Sequence, residues 1–334
     1  MIIIESYSIA VVMCFITMLC WGSWANTQKL ASKEWRFQLF YWDYAVGVLL
    51  LAVFMALTMG NMGTAGRGFF ADLGQASITY IGYAMLGGII FNLSNILLVA
   101  AIDIAGMAVA FPLGCGLSLI LGTVTNYIGK PEGNPLVLFL GVLAVVVAAV
   151  LDAVAYGKLP SQGQKTTTKG ILISLAAGAL MGFFYRFVMK SMEMDFANCT
   201  PGKLSPYTAT VFFSLGLFLS NFVWNSWVMI MPFVGEPVPF GDYFTKGNVK
   251  LHAVGILGGV IWSLGTTFNI VAAPSASPAI AFGLGYGGIM VAALWGVFIW
   301  KEFKDAPAGT NKLLALMFAC FIIGLGLIAA SRPA

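Results

Sequence analysis

The chain has 334 residues, of which 60% are hydrophobic and 9% charged, with a formal net charge of +4; its mean hydropathy is +0.91. A water-soluble domain needs a wet, charged surface that this composition does not supply, so the chain reads as a polytopic membrane protein. A single histidine, His252, and five cysteines without a CxxC spacing leave no material for imidazole triads, metal clusters or a disulfide framework, and the absence of a Walker loop argues against nucleotide-driven work.

Windows of about 20 apolar residues place ten candidate spans at 6–27, 38–59, 77–101, 107–128, 134–156, 170–190, 207–231, 251–271, 278–300 and 312–331. The first is too long, and too directly followed by basic residues, for a cleaved signal peptide. All ten are expected to be α-helices, because backbone groups in lipid must be satisfied within the span and these runs are too long and too apolar for barrel strands.

Residues 110–116 read AFPLGCG and residues 281–287 read AFGLGYG, with five of seven positions identical. Each copy follows an Asn-Ile pair, Asn95-Ile96 in one half and Asn269-Ile270 in the other. The chain therefore reads as two diverged copies of one unit. The expected fold is an all-α membrane protein of ten transmembrane helices in an inverted 5+5 repeat, the layout of secondary transporters. Residues 1–157 form the first repeat, 158–169 a cytoplasmic linker and 170–334 the second repeat. The heptad glycines either thin the gates or simply let helices pack closely.

Eleven of the 17 Lys and Arg residues fall in loops after odd-numbered spans, five fall on the other side, and Arg186 lies inside span six. The positive-inside rule then puts both termini outside the cytoplasm, with the chain in the cytoplasmic (inner) membrane. The Pro- and Gly-rich segment 232–250 reads as an irregular cytoplasmic loop.

Polar side chains at lipid depth are costly unless they face partners or water. Trp21, Trp24 and Gln28 share one helical face, as do Asn92 and Asn95, then Thr123, Asn126 and Tyr127. Asn221, Trp224 and Asn225 repeat the pattern in span seven, and Trp262, Thr266 and Asn269 in span eight. Amides supply donors and acceptors and indole faces stack on sugars or flat heterocycles, so these stripes suit a small neutral polar solute. Interhelical glue is the alternative for the amides, and an interfacial belt for the indoles, a reading preferred for Trp42, Trp295 and Trp300. Tyr286, inside the second heptad, joins the candidate lining.

Arg186 either contacts a substrate oxygen, balances a carboxylate or snorkels to the interface. Asp43 is the candidate proton-coupling residue; its alternative is an interfacial carboxylate paired with Lys29, Lys33 or Arg36. Glu5, Asp103 and Asp152 sit at expected span ends, where hydration is cheap.

The order of WGSW at 21–24, YWDY at 41–44, GGI at 87–89 with LSN at 93–95, and GTVTNY at 122–127 resembles the ureide permease family of the drug/metabolite transporter superfamily. The rhamnose and glucose/ribose porters are similar in plan. The likeness is close in the first half and holds in outline in the second, and the long central loop of the plant proteins shrinks here to about a dozen residues. The resemblance implies proton-coupled uptake, and its Tyr-x-Asp-Tyr element lands on Asp43. The expected activity is import of a monosaccharide such as ribose, or of a ureide or nucleobase, by alternating access. The expected partners are substrate, protons and membrane lipid, with no nucleic acid, no cofactor, no metal and no enzymatic step. A drug or metabolite exporter is the rival, with the few acidic residues of the spans counting against a cationic-drug pump; a membrane sensor is the other, opposed by the shortness of every loop.

Overall fold

The computed structural model describes residues 1–31, 34–106, 109–110, 112–159, 167–196 and 199–332. Their regular structure is helical: α1 Tyr7–Ser23, α2 Ala25–Ala31, α3 Phe37–Leu57, α4 Phe69–Gln75 and α5 Ile78–Ala105. A π-helical turn, Pro112–Gly116, leads into α6 Leu117–Gly129, followed by α7 Pro135–Gly157, α8 Thr168–Ser191 and α9 Pro206–Ile230. Then come α10 Asp242–Thr245, α11 Val249–Ala276, α12 Pro278–Gly285, α13 Gly288–Leu294 with a second π turn at Trp295–Ile299, and α14 Thr310–Ala330. No strand occurs among the described residues.

Nine helical stretches among the described residues are long and apolar enough to cross a membrane, α1 with α2 and α12 through Ile299 each counting as one. The span expected at 107–128 begins at Met107 and Ala108 and includes Phe111, all outside the described residues; the rest of it is the first π turn and α6. Most of the expected linker, residues 160–166, also lies outside the described residues. Residues 232–250 are not wholly irregular, because α10 folds within them.

Local chemistry sets the ends. Ser77, Asn134, Thr167, Ser205 and Asn248 each cap a helix by accepting a backbone N–H, with Pro135 and Pro206 opening α7 and α9. Outward faces carry Leu50, Phe54, Leu143, Phe222 and Ile322, all exposed, as lipid contact requires.

Inside, α5 packs on α8 and α9, and α11 packs on α1 and α3. Both sets of crossings run through glycine. At the α3–α11 crossing, a methyl on Gly47 would strike the Ile256 carbonyl and one on Gly259 the Tyr44 carbonyl. At α5–α9, a methyl on Gly88 would strike the Phe213 carbonyl and one on Gly216 the Met85 carbonyl. Without a hydrophobic drive between helices in lipid, such close backbone approach supplies the packing.

Gly106 ends α5 with φ 77 and ψ 163, and Ser277 ends α11 with φ 73 and ψ 148. The two positions stand at the same spacing as the two heptads, so Gly88 and Gly259, Phe91 and Trp262, and Asn95 and Thr266 correspond. The Asn-Ile pairs do not: Asn269 sits about one helical turn beyond the counterpart of Asn95.

Candidate functional site

A cavity of about 510 Å3 opens between α1, α2, α5, α7, α8 and the α11–α13 region. It reaches from the buried Trp262 to the exposed Ala25 and Lys29, and its size fits a small metabolite. Five indoles line it: Trp21, Trp24, Trp262, Trp295 and Trp300.

The sequence places these rings through two motifs. In WGSW, Trp21 and Trp24 face the cavity, while Gly22 lets α1 approach Gly288 and the Ser23 hydroxyl accepts from Trp295 Nε1 at 2.9 Å. Trp21 Nε1 donates to Thr266 Oγ1 at 3.0 Å, and the Trp21 ring stacks on Trp262 with centroids 6.3 Å apart and planes 10° apart. In YWDY, Tyr41 and Tyr44 back the cavity and Asp43 turns to another face of α3. Tyr41 supports Asn95, whose Nδ2 donates to the phenol oxygen at 3.1 Å, and Tyr44 packs on Trp24 at 4.9 Å. The Phe91 and Trp262 ring centroids lie 4.5 Å apart, so two positions at the heptad spacing meet ring to ring at the cavity floor. Cys115 and Tyr286, in matching heptad positions, both line the wall. The Tyr286 hydroxyl bonds Ser118 Oγ.

Of the residues expected to bind substrate, Trp21, Trp24, Asn95, Trp262 and Tyr286 share this wall. Thr266 and Asn269 stand behind it: Thr266 holds Trp21, and Asn269 Nδ2 donates to the Ala281 carbonyl at 2.8 Å. Asn92, Asn221, Trp224 and Asn225 lie away from it. Asn92 Nδ2 donates to Ser220 Oγ at 2.9 Å and Asn225 Nδ2 to the Gln38 carbonyl at 2.8 Å, so these two serve as glue between helices. Among the described residues, neither amide atom of Asn221 nor the Trp224 Nε1 has a hydrogen-bond partner. Arg186 is also remote, its guanidinium packed over Gly129.

The wall contains residues that sequence reasoning assigned elsewhere. Trp295 and Trp300, expected in an interfacial belt, line the cavity: Trp300 Nε1 donates to Asn26 Oδ1 at 2.6 Å, and the Lys29 ammonium lies 4.4 Å from the Trp300 ring centroid. Asp152 is not a hydrated span end; it is 4% exposed, in the wall, and its Oδ1 has no hydrogen-bond partner among the described residues. Glu302 accepts from the Tyr156 hydroxyl at 2.7 Å and pairs with Lys29. The signal available in the sequence was the i, i+4 pair Asp152 and Tyr156 inside an apolar run.

Asp43 lies outside the cavity wall, 2% exposed. Its Oδ1 accepts from the Tyr243 hydroxyl at 2.5 Å, its Oδ2 from Trp35 Nε1 at 3.3 Å, and His252 Nδ1 lies 3.0 Å from both oxygens. Burial, then the hydrogen bond to Asp43 and its charge, push the Tyr243 phenol well above its ordinary value, so it stays a donor. The expected interfacial pairing is replaced: Lys29 binds Glu302, Arg36 donates to the Glu236 carbonyl at 2.8 Å, and Lys33 lies outside the described residues. His252, set aside as a lone imidazole, is the partner that only folding brings to Asp43.

Comparison with known proteins agrees with this architecture. The family profile described as "Ureide permease" matches residues 40–166 and 160–331. The chain is 23% identical over 389 residues to "Ureide permease 1" of Arabidopsis thaliana, covering 99% of both proteins. It is 24% identical over 258 residues to "Probable glucose uptake protein GlcU" of Bacillus anthracis, covering 75% of this chain and 79% of that one. A solved structure titled only "Crystal structure of protein" superposes with a TM-score of 0.62 at 16% identity, covering 96% of both chains, which speaks to the fold alone.

Proposed function

Because the chain belongs to the ureide permease family, a family of multi-pass membrane transporters of small metabolites, we propose that it imports one small neutral polar metabolite by proton-coupled alternating access. The observation that carries this reading is the 510 Å3 cavity inside the bundle, with its indole faces and the Asn95 amide. Indole faces stack on the C–H face of a pyranose or furanose ring and equally on a planar ureide, and the amide fixes orientation. The names of the relatives, ureide permease and glucose uptake protein, span the same two solute classes.

In this reading the chain forms ten spans in the inner membrane, five plus five inverted, with both termini outside. The equal spacing of the heptads and of the Gly106 and Ser277 breaks, and the matched glycine crossings, support the duplication. The cavity mouth at Lys29 and Trp300 then faces the cytoplasm. Asp43 is the proton-coupling residue, its carboxyl held among Tyr243, His252 and Trp35.

A second reading, export of an organic cation, is favoured by one observation. The wall gathers Asp103, Asp152 and Glu302 against Lys29, and carboxylates beside indole faces attract cations.

Intrinsic tryptophan emission tests the choice, since five of the nine tryptophans line the cavity. Titration with ribose, rhamnose, glucose, allantoin or uracil should change the emission saturably for at least one of them. A response confined to quaternary ammonium compounds would transfer the assignment to export.

A further inference from the structure

We propose that Asp152 is a proton-binding site in the cavity wall, a second carboxyl besides Asp43 that must be loaded and unloaded as substrate crosses. This rests on the transport reading above. Asp152 sits in the last turns of α7, 4% exposed, at a wall that reaches the surface beside Lys29. Among the described residues its Oδ1 has no hydrogen-bond partner. Its carboxyl neighbour is already compensated: Glu302 holds the Tyr156 hydroxyl on Oε2 and the Lys29 ammonium on Oε1.

Among the described residues no ion pair includes Asp152, and the basic side chain in the same wall, Lys29, is held by Glu302. Glu302 follows the second π turn, Cys115 belongs to the first, Tyr156 lies one turn on along α7, and Asp103 lines the same cavity from α5. On α14, packed along α7, Lys312 is exposed. An ionised carboxylate left unpaired at this depth is expensive. Binding one proton converts it to a neutral acid, and the same proton leaves when the cavity opens to the other side. Asp43 differs in kind: the Tyr243 hydroxyl and Trp35 Nε1 donate to its oxygens, His252 Nδ1 lies 3.0 Å from both, and it does not line the cavity.

Two measurements decide this separately. Dicyclohexylcarbodiimide adds to carboxylic acids and not to carboxylates, so mass spectrometry of the purified full chain should find an adduct on Asp152 that declines as pH rises. No adduct at Asp152 at any pH overturns the proposal, whatever the protein transports. In proteoliposomes, Asp152→Asn should lower accumulation driven by an inward proton gradient at least tenfold more than it lowers solute counterflow, with Asp152→Glu restoring accumulation. Wild-type accumulation by Asp152→Asn, or accumulation driven by a sodium gradient instead, also overturns it. Absence of counterflow in the wild type refutes the transport reading, and the labelling result then decides by itself whether Asp152 binds a proton.

Discussion

Four aromatic rings converge on the Trp262 indole, those of Trp21, Tyr44, Phe91 and Phe213, and one of its neighbours, Trp21, is fixed further by Thr266. Removing that platform deletes the stacking surface and leaves the Trp21 hydrogen bond intact. Trp262→Ala should therefore raise the half-saturation concentration for counterflow about tenfold, about 1.4 kcal/mol, with a smaller effect on the maximal rate. At Asp43 the expectation is different, because the side chain does not touch the cavity. Asp43→Asn should retain counterflow and lose proton-driven accumulation; unchanged accumulation would return Asp43 to a structural role. Sequence alone made the WGSW and YWDY residues legible, because an indole or carboxyl in an apolar run must be explained. It failed for Trp295, Trp300 and Asp152, since a residue near a span end looks hydrated until the neighbouring helices are placed around it. It failed for His252 because the imidazole meets Asp43 across 209 positions of chain.

Helix junctions carry the next set of expectations. Ser277 holds a backbone conformation, φ 73 and ψ 148, that is natural only for glycine, whereas its counterpart is Gly106. Ser277→Gly should relieve that strain, against a few tenths of a kcal/mol for the lost cap on Ile280 N, and raise thermal stability in detergent by about 1 kcal/mol net. A lower melting temperature would mean the serine side chain matters more than the backbone. At the α5–α9 crossing, Gly216→Val drives a side chain into the Met85 carbonyl and should cost about 1–3 kcal/mol in the same assay. In the segment between α8 and α9, Glu193 is 3% exposed. It accepts the backbone N–H groups of Met194 at 2.9 Å, Asp195 at 3.2 Å and Thr200 at 2.5 Å. Burial raises its pKa, but these bonds and the Lys203 charge outweigh it, so the folded value lies below the ordinary glutamate value of 4.5. A depressed carboxyl contributes stability above the unfolded value that is lost as pH falls through the folded one. Amide exchange in residues 192–205 should accelerate in that acid window, and Glu193→Gln should flatten the dependence.

At the scale of the molecule, positions matched by the heptad spacing come together: Phe91 touches Trp262, and Cys115 and Tyr286 share a wall. Nine of the ten expected spans were legible because lipid demands long apolar helices, and several begin within a few residues of Ser, Thr, Asn and Pro caps. What could not be read was which polar stripes face one another: Asn92 and Asn225 turn to neighbouring helices, while Asn95 reaches the cavity, although all three stand on similar stripes. A one-residue change of helical phase, about 100°, decides between those fates, and only packing fixes it. The central claim is that this cavity carries a small neutral polar solute through the membrane. Purified protein in proteoliposomes, loaded with unlabelled solute and given a trace of the same labelled solute outside, tests it most directly. Rapid labelled counterflow of ribose, rhamnose, glucose, allantoin or uracil, slowed in Trp262→Ala, is the result the account requires; counterflow of none of them, with quaternary ammonium compounds moving instead, would contradict it.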